Sequence, residues 1–180
     1  MRKLALICSV VSLASLAGTA AYAAQVEVNW QQPEKFTDIR PANESKNRYR
    51  ERVLKIFDGY FVDMAKKLPE DYSWKITVTD LDLAGEIDPF AGGAGNELRV
   101  VKEIYSPAIK FSHIIQNNYG EQIINQEEKL RDMGFMHTLR SYRDNDEFRY
   151  EKQMLEQWFS RDVLPKIQAA QAEQPKISDN

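Results

Sequence analysis

Asp80 and Asp82 are the side chains whose type and spacing come closest to a reactive pair. They open the stretch Asp80-Leu-Asp-Leu-Ala-Gly-Glu86-Ile-Asp88, directly after Trp74–Thr79, which alternates apolar and polar residues as a half-buried strand does. Carboxylates at i and i+2 on a strand face the same way, and such a pair can hold a divalent cation or share a proton. The match to a helix–loop–helix calcium loop is partial. With Asp80 as the first position, Asp82, Gly85 and Asp88 fall at the third, sixth and ninth. Ala84 and Ala91, however, stand at the fifth and twelfth, where side-chain oxygens are needed. The flanks are also wrong, a strand before and a glycine-rich loop after. The expectation is that Asp80 and Asp82 bond to a freed backbone amide or a neighbouring Arg or Lys. A metal role for the Asp80, Asp82, Gly85 motif is the alternative.

Other reactive types give less. Gly92-Gly-Ala-Gly95 lacks the Lys-Ser/Thr and the helix that a phosphate loop requires, and reads as a flexible connection. His113 and His137 are the only histidines. His113 sits among Ile109, Phe111 and Ile115, the setting of a hydrogen-bonded core or sheet histidine. Neither G-x-S-x-G nor H-E-x-x-H occurs, so no catalytic residue, resident metal or cofactor is assigned. Arg48, Arg50, Arg52 and Lys55 could receive an anion but fit a solvated helix face, with Glu44–Arg48 and Glu51–Lys55 as i,i+4 pairs.

The elements that would position these groups follow from periodicity. Val26–Trp30 alternates as a strand. From about Ser45 to Leu68, Tyr49, Val53, Phe57, Phe61, Met64 and Leu68 form one apolar stripe of a helix that Pro69 stops. Gly59 inside it costs about 1 kcal/mol relative to Ala, which suggests close packing against a neighbour. After Trp74–Thr79 the apolar phase flips at Asp80, predicting a bulge or strand end there. Leu98–Tyr105 and Ile109–Gln116 read as strands, Asn117–Gly120 as a hairpin turn, and Glu121 to about Leu130 as the returning strand. A helix from about Asp146 to Leu164 closes the fold, with Asp144 and Glu147 as a capping box, Pro165 ending or kinking it and a frayed polar tail after Ile167. Trp158 and Phe57 are core residues. The order strand, helix, four strands, helix implies an α+β fold: a mostly antiparallel sheet with two main helices packed on one face.

The first 23 residues carry Arg2 and Lys3, an uncharged apolar run from Leu4, and Ala21-Tyr-Ala23, the recipe of a cleaved secretory signal peptide. Cleavage would remove Cys8, the only cysteine, and leave a disulfide-free chain in an oxidising compartment, the periplasm. Taking Arg2 and Lys3 from the 24 basic side chains leaves 22 against 27 acidic ones, a formal charge of −5 that argues against general nucleic-acid binding. No later segment is apolar enough to span a membrane. The expected organisation is a signal peptide over 1–23, one domain over 24–167 and a polar tail over 168–180.

Several segments together resemble the domain-of-unknown-function family 3016, small exported bacterial proteins. They are Pro33–Asp38, Leu68-Pro69, Asp80–Gly85, Arg99-Val-Val, Pro107, Glu127–Asp132 and Tyr150–Trp158. The resemblance covers nearly the whole mature chain and implies an envelope address, but no activity and no catalytic residue. The functional expectation is a non-enzymatic binding or assembly module that contacts an envelope protein, a lipid or a glycan. The alternative is a metal-assisted hydrolase built on Asp80 and Asp82, with Asp132 or a histidine.

Overall fold

The computed structural model describes residues 24–137 and 145–173. The 1–23 segment and Asp144, to which the signal peptide and the capping box were assigned, lie outside them. Among the described residues the order is β1 (Gln25–Trp30), α1 (Lys46–Ala65), β2 (Ser73–Asp82), β3 (Glu86–Asp88), β4 (Leu98–Val100), β5 (Ala108–Gln116), β6 (Gln122–Arg131), α2 (Arg149–Trp158) and α3 (Leu164–Glu173). A π turn, Phe159–Val163, joins α2 to α3.

The main sheet runs β1-β2-β5-β6, with β2/β5 and β5/β6 antiparallel. The architecture is the expected α+β one. β1 pairs parallel to β2, which makes α1 the crossover of a βαβ unit, since parallel neighbours need such a connection. Trp74, Ile76 and Val78 of β2 face inward beside Phe111, His113 and Ile115 of β5. Phe57 and Phe61 of α1 and Leu155, Trp158 and Phe159 of the C-terminal helices cover that face. Phe61 meets Trp74 edge-on at 5.8 Å between ring centroids, and Phe111 meets Trp158 at 5.0 Å. Lys75, Thr79 and Lys110 lie on the opposite, open face.

The phase flip at Asp80 is a bulge. The β2/β5 register shifts between Val78 and Asp80, leaving Thr79 exposed and returning Leu81 to the core. Asn117 Oδ1 accepts the amides of Tyr119 and Glu121 at 3.0 Å, closing the expected hairpin, with Gly120 at φ 78°.

Three local expectations change. Leu98–Tyr105 forms strand only over Leu98–Val100, paired with Glu86–Asp88 in a separate two-stranded arm, because among the described residues the short β3 is its one strand partner. Gly59 has no atom within 4 Å of where a Cβ would stand, so packing inside the fold does not require it. The chain continues as helix through Pro165 to Glu173, where fraying was expected after Ile167. Proline lacks the N–H and clashes with the carbonyl four residues back, and the wider π turn just before it accommodates both defects.

Candidate functional site

Asp80 and Asp82 are held by neighbours on other elements. Asp80 Oδ1 accepts the Thr37 amide at 2.8 Å, and Oδ2 accepts the Thr37 hydroxyl at 2.9 Å and Lys110 Nζ at 2.8 Å. Burial pushes its pKa up, but the Lys110 and Thr37 bonds outweigh that and hold it below the ordinary value. Asp82 Oδ2 accepts Arg131 Nη2 at 3.2 Å, its one side-chain donor among the described residues. Burial dominates there, Asp38 and Asp80 add to it, and the carboxyl is raised. The bulge at Thr79 places this pair against the chain before α1. Gly85 has φ 81°, and a Cβ there would stand 2.6 Å from the Val100 carbonyl oxygen, so the turn into β3 admits only glycine.

A second carboxylate, Asp38, organises the same end of the sheet. Its backbone bridges Leu81 and Leu83 in parallel, and its side chain takes Arg99 through Nη1 at 2.9 Å and Nη2 at 3.3 Å. Arg99 also donates to the carbonyls of Gly85 at 3.0 Å and Arg40 at 2.9 Å. One guanidinium thus ties β4, the β2–β3 turn and the loop before α1 together. Asp38, Arg40, Asp82, Glu86 and Arg131 line a cavity of about 350 Å³ at this point.

On the other side of Arg99 a cleft of about 470 Å³ opens where the N-terminal turns of α1 and α2 meet the β3–β4 arm. Arg40, Arg52, Arg99 and Arg149 line it, with Tyr49 and Tyr150 as its aromatic wall. Arg52 lies 4.9 Å over the Tyr49 ring and pairs with Glu44 at 2.9 Å and Glu147 at 2.5 Å. Arg149 lies 4.7 Å over Tyr150. Burial pushes the Tyr49 hydroxyl up to about 12, against the pull of Arg99. Behind this wall Glu151 is 2% exposed, its Oε1 accepting the Ala84 amide at 2.6 Å and its Oε2 without a hydrogen-bond partner among the described residues. Burial raises that carboxyl to about 7. Ion-paired, ring-stacked donors and acceptors of this kind can orient a polar ligand.

The remaining expected residues are placed as follows. His113 is 1% exposed, ringed by Trp74, Phe111 and Trp158, and accepts Trp74 Nε1–H on Nδ1 at 3.3 Å. Burial lowers it to about 4, so it is neutral at pH 7. His137 is exposed and meets Glu103 at 3.0 Å. Asp132 Oδ1 accepts the Gly134 amide at 3.0 Å. Among the described residues no group of three or more His, Cys, Asp or Glu converges to hold a metal. Of the basic cluster only Arg52 enters the cleft. Glu44 pairs with it rather than with Arg48, and Arg50 donates to Asn47 at 2.9 Å.

Sequence reading missed Arg99, Glu151, Arg149 and Arg40. Glu151 carried a signal: it lies four and seven residues before Leu155 and Trp158, on the buried face of its helix. Arg99 appeared only within the Arg99-Val-Val segment of the family resemblance, and spacing could not give it its ion-pair partner, Asp38, 61 residues away.

Fold and site together define an α+β domain with an arginine-lined cleft where its two helices begin. The family model described as "Protein of unknown function (DUF3016)" matches residues 24–161, and the chain belongs to that family. No curated protein and no solved structure matches it significantly.

Proposed function

We propose that this chain is an exported, periplasmic protein of the bacterial cell envelope that acts by binding, and that its ligand site is the cleft lined by Arg40, Tyr49, Arg52, Arg149 and Tyr150. The observation that carries this reading is the composition of the cleft. Its charged groups are prearranged by ion pairs and ring contacts, which suits the recognition of a polar envelope component, and among the described residues they supply no paired nucleophile and base. The export signal supports the address. A glycan or a polar face of an envelope protein fits the mixture of planar polar and aromatic groups.

The second reading is the metal-assisted hydrolase on Asp80 and Asp82. What favours it is that Asp82 and Asp38 share one cavity. Against it, the Thr37 amide, the Thr37 hydroxyl and Lys110 already donate to the two oxygens of the Asp80 carboxylate.

The test is co-sedimentation of the purified protein with peptidoglycan sacculi, with lipopolysaccharide and with envelope vesicles. One fraction should retain wild type, and Arg149→Ala with Tyr150→Ala should weaken retention at least tenfold. Equal retention of the double variant would remove the cleft from the account.

A further inference from the structure

The solvent face of α1 has features that the fold does not use. Gly59 sits at its centre, exposed, with nothing within 4 Å of a would-be Cβ. Val62, one turn on, is 45% exposed. A groove of about 590 Å³ crosses Gly59, with Ile56 and Tyr60 among its lining residues. Among the described residues Glu51 and Lys55 make no ion pair, although they are one turn apart.

We propose that this face is a contact surface for a second copy of the chain, the two α1 helices crossing antiparallel at Gly59. A two-fold axis through Gly59 sets each residue n positions before it opposite the residue n positions after it in the partner copy. That operation brings Ile56 onto Val62 and Lys55 onto Asp63, each twice. It also carries Glu51 to the turn that holds Lys66 and Lys67, of which Lys67 already pairs with Glu156 in the single chain. The interface is therefore self-complementary in both apolar and charged positions, as a two-fold contact must be. The opposition it creates is Arg52 to Lys66, and Glu44 and Glu147 already neutralise Arg52. In the single chain Asp63 holds Lys66 at 2.6 Å, an exposed pair that exchanges partners at little cost.

Glycine at the crossing point lets two backbones approach, since interaxial distance is set by the side chains at the contact. That gives Gly59 the purpose the interior of the fold does not. An anionic ligand on Arg48 and Lys55 suits the face less well, because the Glu51 carboxylate stands between them with no ion pair among the described residues. A single helix pair buries less than a standard interface, so the pairing is transient and concentration-dependent.

Analytical ultracentrifugation of the purified protein from roughly 1 µM to 1 mM reads this directly. Wild type should show a reversible monomer–dimer equilibrium. Lys55→Glu alone and Asp63→Lys alone should each weaken it at least tenfold, and the two together should restore it, because the swap re-creates both pairs. Gly59→Gln should abolish dimerisation without lowering the melting temperature of dilute protein. A wild type that is monomeric throughout, an unweakened Gly59→Gln dimer or a double swap that fails to recover would each overturn the proposal. So would a monomer that binds phosphatidylglycerol vesicles and loses them in Lys55→Glu, which would assign the face to an anionic surface.

Discussion

Glu151 and Ala84 are joined across the domain by a 2.6 Å hydrogen bond from the Ala84 amide to a carboxylate that is almost wholly buried. The bond fastens the first turn of α2 to the turn between β2 and β3, and with Arg99 it fixes the wall of the cleft. It also makes the fold sensitive to pH in a specific direction. Burial raises Glu151 from 4.5 to about 7, so the folded chain keeps a proton that the unfolded chain releases. Stability from this group is full below pH 4.5, falls as the pH rises towards 7 and is constant beyond, a loss on the order of 3 kcal/mol.

His113 acts in the opposite sense. Burial lowers it from 6.5 to about 4, so the unfolded chain takes up a proton that the folded chain refuses, and stability falls as pH drops from 6.5 towards 4. Between pH 4.5 and 6.5 the two slopes offset each other in wild type. Glu151→Gln should remove one and reveal the other: urea unfolding of the variant should show stability rising with pH across that window. A variant whose profile parallels wild type would show that Glu151 does not titrate there.

The two aspartates of the acidic stretch should separate on mutation. Asp80→Asn removes an ionised acceptor of three donors and should lower stability by about 1–3 kcal/mol. Asp82 is raised by burial and pairs with the exposed Arg131, so Asp82→Asn should cost less than about 1 kcal/mol at pH 7. Chemical denaturation of both variants decides it, and equal losses would contradict the assignment. Melts of wild type with chelator and then with calcium, magnesium, manganese or zinc should coincide. A cation-dependent rise that vanishes in Asp82→Asn would move the metal hydrolase to first place.

Two glycines should respond with opposite signs. Gly85→Ala places a Cβ 2.6 Å from the Val100 carbonyl oxygen at φ 81°, and should destabilise by more than about 1 kcal/mol. Gly59→Ala meets open space in a helix and should stabilise dilute protein by about 1 kcal/mol. Thermal melts of the pair at one concentration measure both.

Trp158 contacts Trp74, Phe111, His113 and Phe159, joining the C-terminal helix to the sheet. Trp158→Ala should cost about 3–5 kcal/mol in urea unfolding. A loss under about 1 kcal/mol would make that helix peripheral.

What the sequence made legible was local. The stripe from Tyr49 to Met64 set α1, and the change of apolar phase at Asp80 located the bulge to within one residue, because a strand with one buried face cannot hide a register slip. Asn117 and Gly120 likewise announced their turn. The parallel pairing of β1 with β2 was not legible, since alternation marks a half-buried strand but carries no direction. Val101 to Tyr105 read as strand because its residues suit one, yet among the described residues no partner strand extends alongside it. The cleft was hidden for a related reason. Arg52 finds Glu147 95 residues away and Arg99 finds Asp38 61 residues away, separations at which spacing rules are silent.

The central claim is that the cleft at the start of α1 and α2, and not the acidic cavity beside it, receives the ligand. The direct measurement is an amide chemical-shift map of the labelled protein during titration with soluble peptidoglycan fragments or with the envelope component that co-sediments. The account predicts shifts at Arg40, Tyr49, Arg52, Arg149 and Tyr150, lost in Arg149→Ala with Tyr150→Ala. Shifts confined to Asp38, Asp82, Glu86 and Arg131, with the cleft unmoved, would contradict it.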